Sequence, residues 1–331
     1  MDNNISNLLN KEIEELMKNK FFFRTPNNKK ILACAASYLI LILLGIFLNI
    51  GVMTAFLSVF PLTYVLGAKG FKYCIPLIVM GGGILLLFAS PGMIFWFGMH
   101  AIISYLVYRA ISIRVNKILL VVTVNVLLFL AVALYVFLSI KTGMLTIDSN
   151  QILEFINSYV NSMAEMNQNV DKNMVLESFS NLQKTFPVTL FVMLFVYTLA
   201  LVQYTLSLLA REYVIIPVFP KFSHIMLSPR SGYTYIGVTL ITFFVEMEAG
   251  SNTYSFWNIL FQNITGVLSL VFILNGLFTA FFFLEQKSKS NIVKPVIFAL
   301  MLIFSPIFEL LGFVDSIFKL REGYIVAKRG K

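Results

Sequence analysis

Long apolar runs alternate with short polar breaks along this chain, from Ile31 nearly to its end. Each run is close to the roughly 20 residues that an α-helix needs to cross the hydrocarbon core of a bilayer. The pattern predicts an all-α, polytopic integral membrane helical bundle of about eight or nine spans. The candidate spans are residues 31–50, 52–66, 73–89, 92–113, 118–140, 187–210, 234–244, 257–284 and 293–313.

Two of these spans are weaker than the rest. The run 52–66 is short and extends past Pro61, and proline is unfavourable inside a helix. The run 234–244 reaches across a bilayer only if its helix continues through Glu246 and Glu248. These two segments set the uncertainty in the number of spans.

Two polar stretches interrupt the apolar pattern. Residues 5–17 repeat apolar side chains at helical spacing, which predicts an amphipathic helix on the cytoplasmic surface. Residues 142–185 form a long polar insert, and their two narrow apolar stripes predict an external helical hairpin. The predicted organisation is a cytoplasmic amphipathic segment (1–30), a six-span membrane domain that includes the insert (31–210), a cytoplasmic proline-rich loop (211–232), C-terminal membrane helices (233–320) and a basic tail (321–331).

Composition supports a membrane location, and charge predicts the orientation. The chain is 58% hydrophobic and 12% charged, which leaves too little polar surface for a water-soluble globule of 331 residues. Its net charge of +9 comes from bases in loops between apolar runs, so it reports topology rather than binding to nucleic acid. The positive-inside rule then predicts a cytoplasmic N-terminus. With a cytoplasmic N-terminus and nine spans the basic tail lies outside, which conflicts with the same rule.

The sequence lacks recognisable catalytic and metal-binding motifs. It contains no HExxH zinc helix, GxSxG elbow, CxxC pair or Walker lysine, and His100 and His224 are its two histidines. Cys34 and Cys74 fall at predicted cytoplasmic ends of spans, where we interpret them as small packing residues. We therefore predict a protein that is not an enzyme, with no cofactor and no metal. An active site of acids and arginines acting on a lipid-linked substrate is an alternative that such motifs would miss.

Polar side chains inside the apolar runs are the candidate ligand contacts, because polar groups in a bilayer are costly and commonly functional. The five candidates are His100, Asn125, Gln203, Asn275 and Glu246. For the imidazole and the amides the alternative is a hydrogen bond that joins neighbouring helices, and this alternative is favoured. Glu246 lies near a predicted outer mouth, where it either attracts a cationic or polar solute or is simply a solvated helix end.

The stretch PIFELLGFVDSIFKLREG, residues 306–323, places two carboxylates in or beside a lipid-bound run. We predict that residues 293–313 form one span kinked near Pro306, and that Asp315 lies at its far end rather than in hydrocarbon. Asp315 and Lys319 are four residues apart and can pair on a helix, while Glu309 can face the bundle. The predicted structural or interface residues are Pro306, Glu309, Asp315, Lys319 and Arg321.

Three stretches resemble the YybS-like family of bacterial membrane proteins, a domain of unknown function. They are FPLTYVLGAKGFKYCIPLIVMGGGILLLFASPG, PVFPKFSHIMLSPRSGYTYIGV and FELLGFVDSIFKLR. That family is similar in its first six spans to the substrate-binding subunits of energy-coupling-factor transporters, which hold a vitamin or a metal ion in a six-helix bundle. The resemblance implies a multi-pass, transporter-like protein of the bacterial cytoplasmic membrane, and it assigns no catalytic residue.

Two functional hypotheses follow. In the first, the protein binds or helps translocate a small solute within its first six spans, with His100 and Asn125 as contacts and energy from a cytoplasmic partner. In the second, it is a structural or regulatory protein whose N-terminal helix and proline-rich loop bind a cytoplasmic protein, while its polar residues only join helices. Both have the lipid bilayer as a partner. They differ in whether His100, Asn125 and Gln203 meet in one enclosed cavity.

Overall fold

The computed structural model describes residues 21–144, 172–218, 221–249, 255–286 and 293–329, together with the single positions 154, 158 and 162. Within these residues the chain forms α-helices joined by short connections and no strand, which confirms the predicted all-α fold. The predicted amphipathic N-terminal helix and most of the predicted external hairpin lie outside the described residues.

Eleven α-helices make up the described part of the chain. They are α1 (Asn28–Leu48), α2 (Gly51–Lys69), α3 (Phe71–Phe88), α4 (Pro91–Ser112), α5 (Lys117–Lys141), α6 (Lys172–Arg211), α7 (Pro229–Ala249), α8 (Phe256–Gln286), α9 (Val293–Ile303), α10 (Ser305–Phe318) and α11 (Leu320–Arg329). Seven of them contain a segment long and apolar enough to cross a membrane, namely α1 to α5, residues Lys184–Arg211 of α6, and α8. The described residues therefore have the architecture of a polytopic helical membrane protein.

The predicted short span around Pro61 is a full-length helix. α2 covers Gly51–Lys69 and is the most buried of the seven candidate spans. Helices α1, α3 and α4 pack against it. Enclosure by neighbouring helices explains how a proline is tolerated there, because they shield the backbone that the proline leaves without a hydrogen bond.

The end of the predicted insert is continuous with the span that follows it. α6 extends over Lys172–Arg211 and contains Pro187, which removes a backbone donor. The Asn263 side chain binds the backbone on both sides of this proline. Its Oδ1 accepts from the Val188 N–H at 3.0 Å, and its Nδ2 donates to the Lys184 carbonyl at 2.8 Å.

The chain divides into two compact units. Unit 1 comprises Met1–Ile147 and Phe191–Phe219, so its described helices are α1 to α5 and the C-terminal part of α6. Unit 2 comprises Asp148–Leu190 and Pro220–Lys331, with the N-terminal part of α6 and helices α7 to α11. The hydrophobic core of unit 1 receives side chains from all six of its helices.

In unit 2, α8 and α10 approach each other closely at two glycines. A Cβ atom added at Gly276 would overlap the carbonyl group of Phe308, and one added at Gly312 would overlap that of Phe272. Glycine therefore allows the two backbones to touch, as in the small-residue contacts of membrane helices. This contact fixes α10 against α8 and positions the residues that follow Gly312.

Helix α7 runs antiparallel to α8. Gln262 donates a hydrogen bond to Glu246 towards one end of the pair, and Tyr235 packs against Phe272 towards the other. Charged residues near both ends leave α7 less apolar than the seven candidate spans. It nevertheless continues through Glu246, as a crossing helix in this region requires.

Helices α9 and α10 form a re-entrant hairpin instead of the predicted single kinked span. They meet at Phe304 with a bend of 105°. At the start of α9, Lys294 pairs with Glu285 at 2.7 Å, and the same Glu285 accepts from the Ser223 hydroxyl at 2.7 Å. After α10 the chain returns to Ser223, whose carbonyl accepts from Arg321. Both ends of the hairpin therefore lie at the same end of unit 2.

Proline chemistry explains the break. Pro306 lies in the first turn of α10, where its missing N–H costs little and its fixed φ suits a new helix. Its ring also disfavours an uninterrupted helix through the preceding residues. Pro306 therefore predicts the break correctly from the sequence, but it does not predict that the chain turns back after the break.

The hairpin also corrects the predicted position of the basic tail. Arg321 donates to the carbonyls of Ser223 and Ile225, so the tail begins beside the proline-rich loop that contains these two residues. The sequence predicts a cytoplasmic loop and an external tail. The structure instead brings the start of the tail to the loop, so the two lie at the same end of unit 2.

Candidate functional site

His100 is fully buried in α4 of unit 1 and joins this helix to α6. Its Nδ1 lies 2.7 Å from the Trp96 carbonyl oxygen, and its Nε2 lies 2.6 Å from the Tyr197 hydroxyl. Because a carbonyl oxygen only accepts, the neutral ring carries its proton on Nδ1 and accepts from Tyr197 at Nε2. This is the interhelical hydrogen bond that the sequence analysis gave as the alternative to a ligand contact.

Three other buried polar groups of unit 1 have an oxygen atom without a hydrogen-bond partner among the described residues. They are the Oδ1 of Asn125 on α5 and the hydroxyls of Thr198 and Thr205 on α6. A buried oxygen left unpaired costs about 1–3 kcal/mol. Such groups are rare in native proteins, and each calls for an explanation.

Two contacts fix the register between α5 and α6. Lys117 donates a hydrogen bond to the Gln203 side chain, and the rings of Phe129 and Phe191 lie 5.5 Å apart. From the first contact to the second, residue numbers rise along α5 but fall along α6, so the two helices are antiparallel. In this register Asn125 lies within about one helical turn, ~5 Å, of the level of Tyr197 and Thr198.

Four side chains of unit 1 therefore share one level of the bundle. We call His100, Asn125, Tyr197 and Thr198 the polar layer. Two of its members are bonded to each other, and two have an oxygen that can still bind. Thr205 lies two turns further along α6, on the same buried face as Thr198.

Gln203 does not belong to the polar layer. It lies about 9 Å beyond Tyr197 along α6, is solvent- or lipid-exposed, and is bonded to Lys117 and to the Ser207 hydroxyl at 3.2 Å. A groove of about 390 Å³ beside α1, α2 and α3 also contains none of the three predicted contacts of unit 1. The sequence thus grouped Gln203 with residues from which the fold separates it.

Unit 2 contains a buried network centred on Arg321, whose side chain is inaccessible to solvent. Its Nε and Nη2 donate to Asp315 Oδ2 at 3.0 and 2.7 Å, and Nη2 also donates to Asn275 Oδ1 at 2.7 Å. Nη1 donates to the carbonyls of Ser223 and Ile225 at 3.1 and 2.7 Å. All five guanidinium N–H groups can thus be matched to acceptors.

The turn after α10 delivers Arg321 to this network. Lys319 adopts a left-handed conformation with φ 52° and ends α10, so that α11 begins in a new direction. The Arg321 backbone N–H then donates to Asp315 Oδ1 at 3.2 Å. Asn275, predicted as a ligand contact, is held by Arg321 and by the Gly312 carbonyl, to which its Nδ2 donates at 2.8 Å.

The predicted pair between Asp315 and Lys319 is wrong. Asp315 pairs with Arg321, and Lys319 instead pairs with Glu322 at 2.8 Å on the surface. The helical spacing does not apply because the helix ends before Lys319. Asp315 lies in the last turn of α10, near a helix end as predicted, and it is buried within unit 2.

Glu246 and Glu309 occupy different parts of unit 2. Glu246 is exposed near the C-terminal end of α7, where Gln262 donates to it at 2.9 Å, far along the α7–α8 pair from Asn275. Glu309 is half-buried on α10 and accepts a hydrogen bond from the Tyr235 hydroxyl. The described residues contain no group of three or more His, Cys, Asp or Glu side chains placed to hold a metal ion.

Residues 35–316 match the model of a family described as predicted membrane protein (DUF2232). The chain belongs to this family. The match includes most of the candidate spans, the polar layer and Asp315, and it ends before Arg321. The family description gives membrane location without a chemical activity. No curated protein and no solved structure matches the chain.

Proposed function

We propose that this protein is a non-enzymatic membrane protein that binds, or helps translocate, a small polar solute at the polar layer of unit 1. One observation carries the proposal: Asn125 and Thr198 present buried, unbonded oxygen atoms at one level of a membrane bundle. A bound solute with hydroxyl or N–H groups would satisfy both atoms. It would thereby recover the roughly 1–3 kcal/mol that each unpaired group costs.

The chemistry of the polar layer favours a neutral solute. The layer consists of an imidazole, an amide, a phenol and an alcohol, and the neutral imidazole is satisfied at both nitrogens. A charged solute brought into this buried level would need an opposite charge beside it. Lys117 is bonded to Gln203 about 9 Å away along the helices.

The architecture agrees with the proposal. Unit 1 contains five helices and part of a sixth, and six spans are what the resemblance of the sequence to the YybS-like family implies for a substrate-binding domain. We infer a location in the bacterial cytoplasmic membrane with the N-terminus inside, because most loop bases then face the cytoplasm. Energy for translocation would come from a cytoplasmic partner.

Mass spectrometry of small molecules that co-purify with the protein tests this proposal. Wild-type protein should retain a neutral polar molecule, and Asn125→Leu should retain less than about one tenth as much, because removing one or two hydrogen bonds to a buried ligand costs ~1.4 kcal/mol or more. Asn263→Leu is the matched control, since this buried amide of unit 2 is fully bonded to protein. Equal retention by all three proteins would contradict a site at Asn125.

One observation favours the alternative, a structural or regulatory protein that docks a cytoplasmic partner. In unit 1 the segment after α6 is anchored by hydrogen bonds from the Phe23 N–H to the Tyr213 carbonyl at 2.8 Å and from Arg114 to the Ile215 carbonyl at 3.1 Å. Yet Val218 is 77% exposed. Crosslinking from Val218 in native membranes separates the two functions, because adducts with lipid alone would remove the support for protein docking.

A further inference from the structure

A groove of about 350 Å³ lies between α7 and α10 of unit 2, beside the tip of the re-entrant hairpin. Its polar groups are Glu309, Tyr235 and Thr239, and its walls include Pro306 and Phe313. The volume falls within the range of roughly 300–1,000 Å³ that is usual for small-molecule sites. A helix break at membrane depth is tolerated where it is covered by protein or lines a cavity, and this groove adjoins such a break.

Glu309 is the chemical centre of the groove. The Tyr235 hydroxyl donates to one of its oxygens, and the carboxylate retains further lone pairs. The four ion pairs of the described residues join other groups, so none of them neutralises Glu309. A carboxylate in an apolar setting is expensive unless it meets a positive charge.

Exposed apolar side chains surround Glu309, so we infer that the groove opens towards lipid tails in a membrane. The lining of the groove includes the exposed side chains of Ile236, Leu240 and Leu310. Glu309 lies about 10 Å along α10 from Ser316. The Ser316 hydroxyl donates to the Ser228 carbonyl, in the loop that precedes α7, at 2.9 Å. The site is therefore well below the level of the loop.

We propose that this groove binds a hydrophobic organic cation, an ammonium ion that carries alkyl or aromatic groups. Glu309 supplies the opposite charge, and the rings of Tyr235 and Phe313, 6.0 Å apart and at 63° to each other, offer faces for cation–π contact. The apolar walls accommodate the substituents. A bare metal ion fits poorly, because it requires more oxygen ligands than the groove presents.

A free solute is favoured over the amine of a phospholipid. A lipid ammonium group is tied to a phosphate that stays at the headgroup level, whereas Glu309 lies about 10 Å inward along α10. The proposal is independent of the polar layer, because every residue that it uses belongs to unit 2. The test of this proposal can therefore fail without affecting the proposed function, and the reverse is also true.

Equilibrium binding of radiolabelled benzyltriethylammonium to the full chain in lipid nanodiscs tests the proposal. Wild-type protein should bind the probe saturably, and Glu309→Gln should weaken binding at least about tenfold, the factor that corresponds to ~1.4 kcal/mol. Glu246→Gln is the matched control: it removes the same charge at the other end of α7, outside the groove, and should leave affinity unchanged. Thr239→Trp should also abolish binding by filling the groove while Glu309 is retained.

Three outcomes would overturn the proposal. Equal affinities of Glu309→Gln and Glu246→Gln would show that the probe responds only to overall charge. Unchanged binding by Thr239→Trp in folded protein would place the probe elsewhere. Native mass spectrometry that finds an aminophospholipid retained by wild-type protein and lost from Glu309→Gln, without saturable probe binding, would identify the groove as a lipid site.

Discussion

Replacing Arg321 by methionine removes the cation from a network in which each guanidinium N–H has an acceptor. Asp315 then remains buried without its counter-ion, and two loop carbonyls and the Asn275 oxygen lose a donor. Removing one partner of a buried ion pair costs about 3–5 kcal/mol. We therefore expect Arg321→Met to destabilise unit 2 by about that amount.

Arg321→Lys separates charge from geometry. Lysine keeps the positive charge but has three donors, so at least two of the present contacts must be lost. Each buried acceptor left unpaired costs about 1–3 kcal/mol, so the conservative change should cost roughly 2 kcal/mol or more. An effect near zero would mean that charge alone accounts for the contribution of Arg321.

The surface pair Lys319–Glu322 is the matched control. Its N–O distance is 2.8 Å against 2.7 Å for the buried pair, but its side chains are 50% and 49% exposed, compared with 0% and 3%. An exposed pair contributes about 0–1 kcal/mol. Lys319→Met should therefore be nearly neutral although it breaks an ion pair of similar length.

The two tryptophans allow the effect to be assigned to a unit. Trp257 lies in unit 2 and Trp96 in unit 1, so unfolding in detergent can be followed by the fluorescence of Trp257 in a Trp96→Phe background. Arg321→Met should shift the Trp257 transition, and Asp315→Leu combined with Arg321→Met should recover part of the loss, because no buried charge is left. If Arg321→Met and Lys319→Met were equally stable, the structural role of the buried network would be refuted.

Three further predictions concern the helix contact, the hairpin and the polar layer. Gly276→Ala should destabilise the protein by more than about 1 kcal/mol in the same unfolding assay, because its Cβ atom would overlap the backbone of α10. Gly237→Ala is the control and should be neutral or stabilising, since a Cβ atom there meets nothing within 4 Å. In a background without Cys34 and Cys74, cysteines at Ala327 and at Phe222 should both react with an impermeant maleimide only after lysis; labelling of the first alone in intact cells would contradict the re-entrant hairpin. Asn125→Leu should leave stability unchanged or raise it by up to ~1–3 kcal/mol, since it removes an unpaired buried oxygen, and a loss of similar size would show that the amide is bonded to protein.

Apolar length alone predicts much of the architecture. The runs that form α1, α3, α4, α5 and α8 are close in length to the thickness of a bilayer, so their positions follow from hydropathy. The run around Pro61 forms a full helix because protein surrounds it, and that enclosure depends on helices distant in sequence. Tertiary packing here overrides a local signal.

The candidate sites depend on features that hydropathy does not report. Tyr197 and Thr198 lie within an apolar run, so hydropathy does not distinguish them. The sequence signal for a polar helix face is the seven-residue spacing of Thr198 and Thr205. Helical spacing suggested Lys319 as the partner of Asp315 because the left-handed turn at Lys319 is uncommon for lysine and has no sequence signature there. Pro306 marks a break, but the return of the chain depends on contacts with Glu285 and the 223–225 loop.

The central claim is that a small neutral solute binds at the polar layer, and ligand-dependent unfolding tests it most directly. Trp96 is a suitable reporter because its ring centroid lies 5.8 Å from that of His100 and 6.2 Å from that of Tyr197. Washed protein in a Trp257→Phe background would be unfolded with and without the co-purified molecule. We predict that a concentration of 100 times Kd stabilises the protein by about 2.7 kcal/mol. Asn125→Leu, whose binding should be at least about tenfold weaker, should lower this gain to about 1.4 kcal/mol or less at the same ligand concentration, without lowering the midpoint of the ligand-free protein. The same ligand-induced shift in Asn125→Leu as in the parent protein would contradict it.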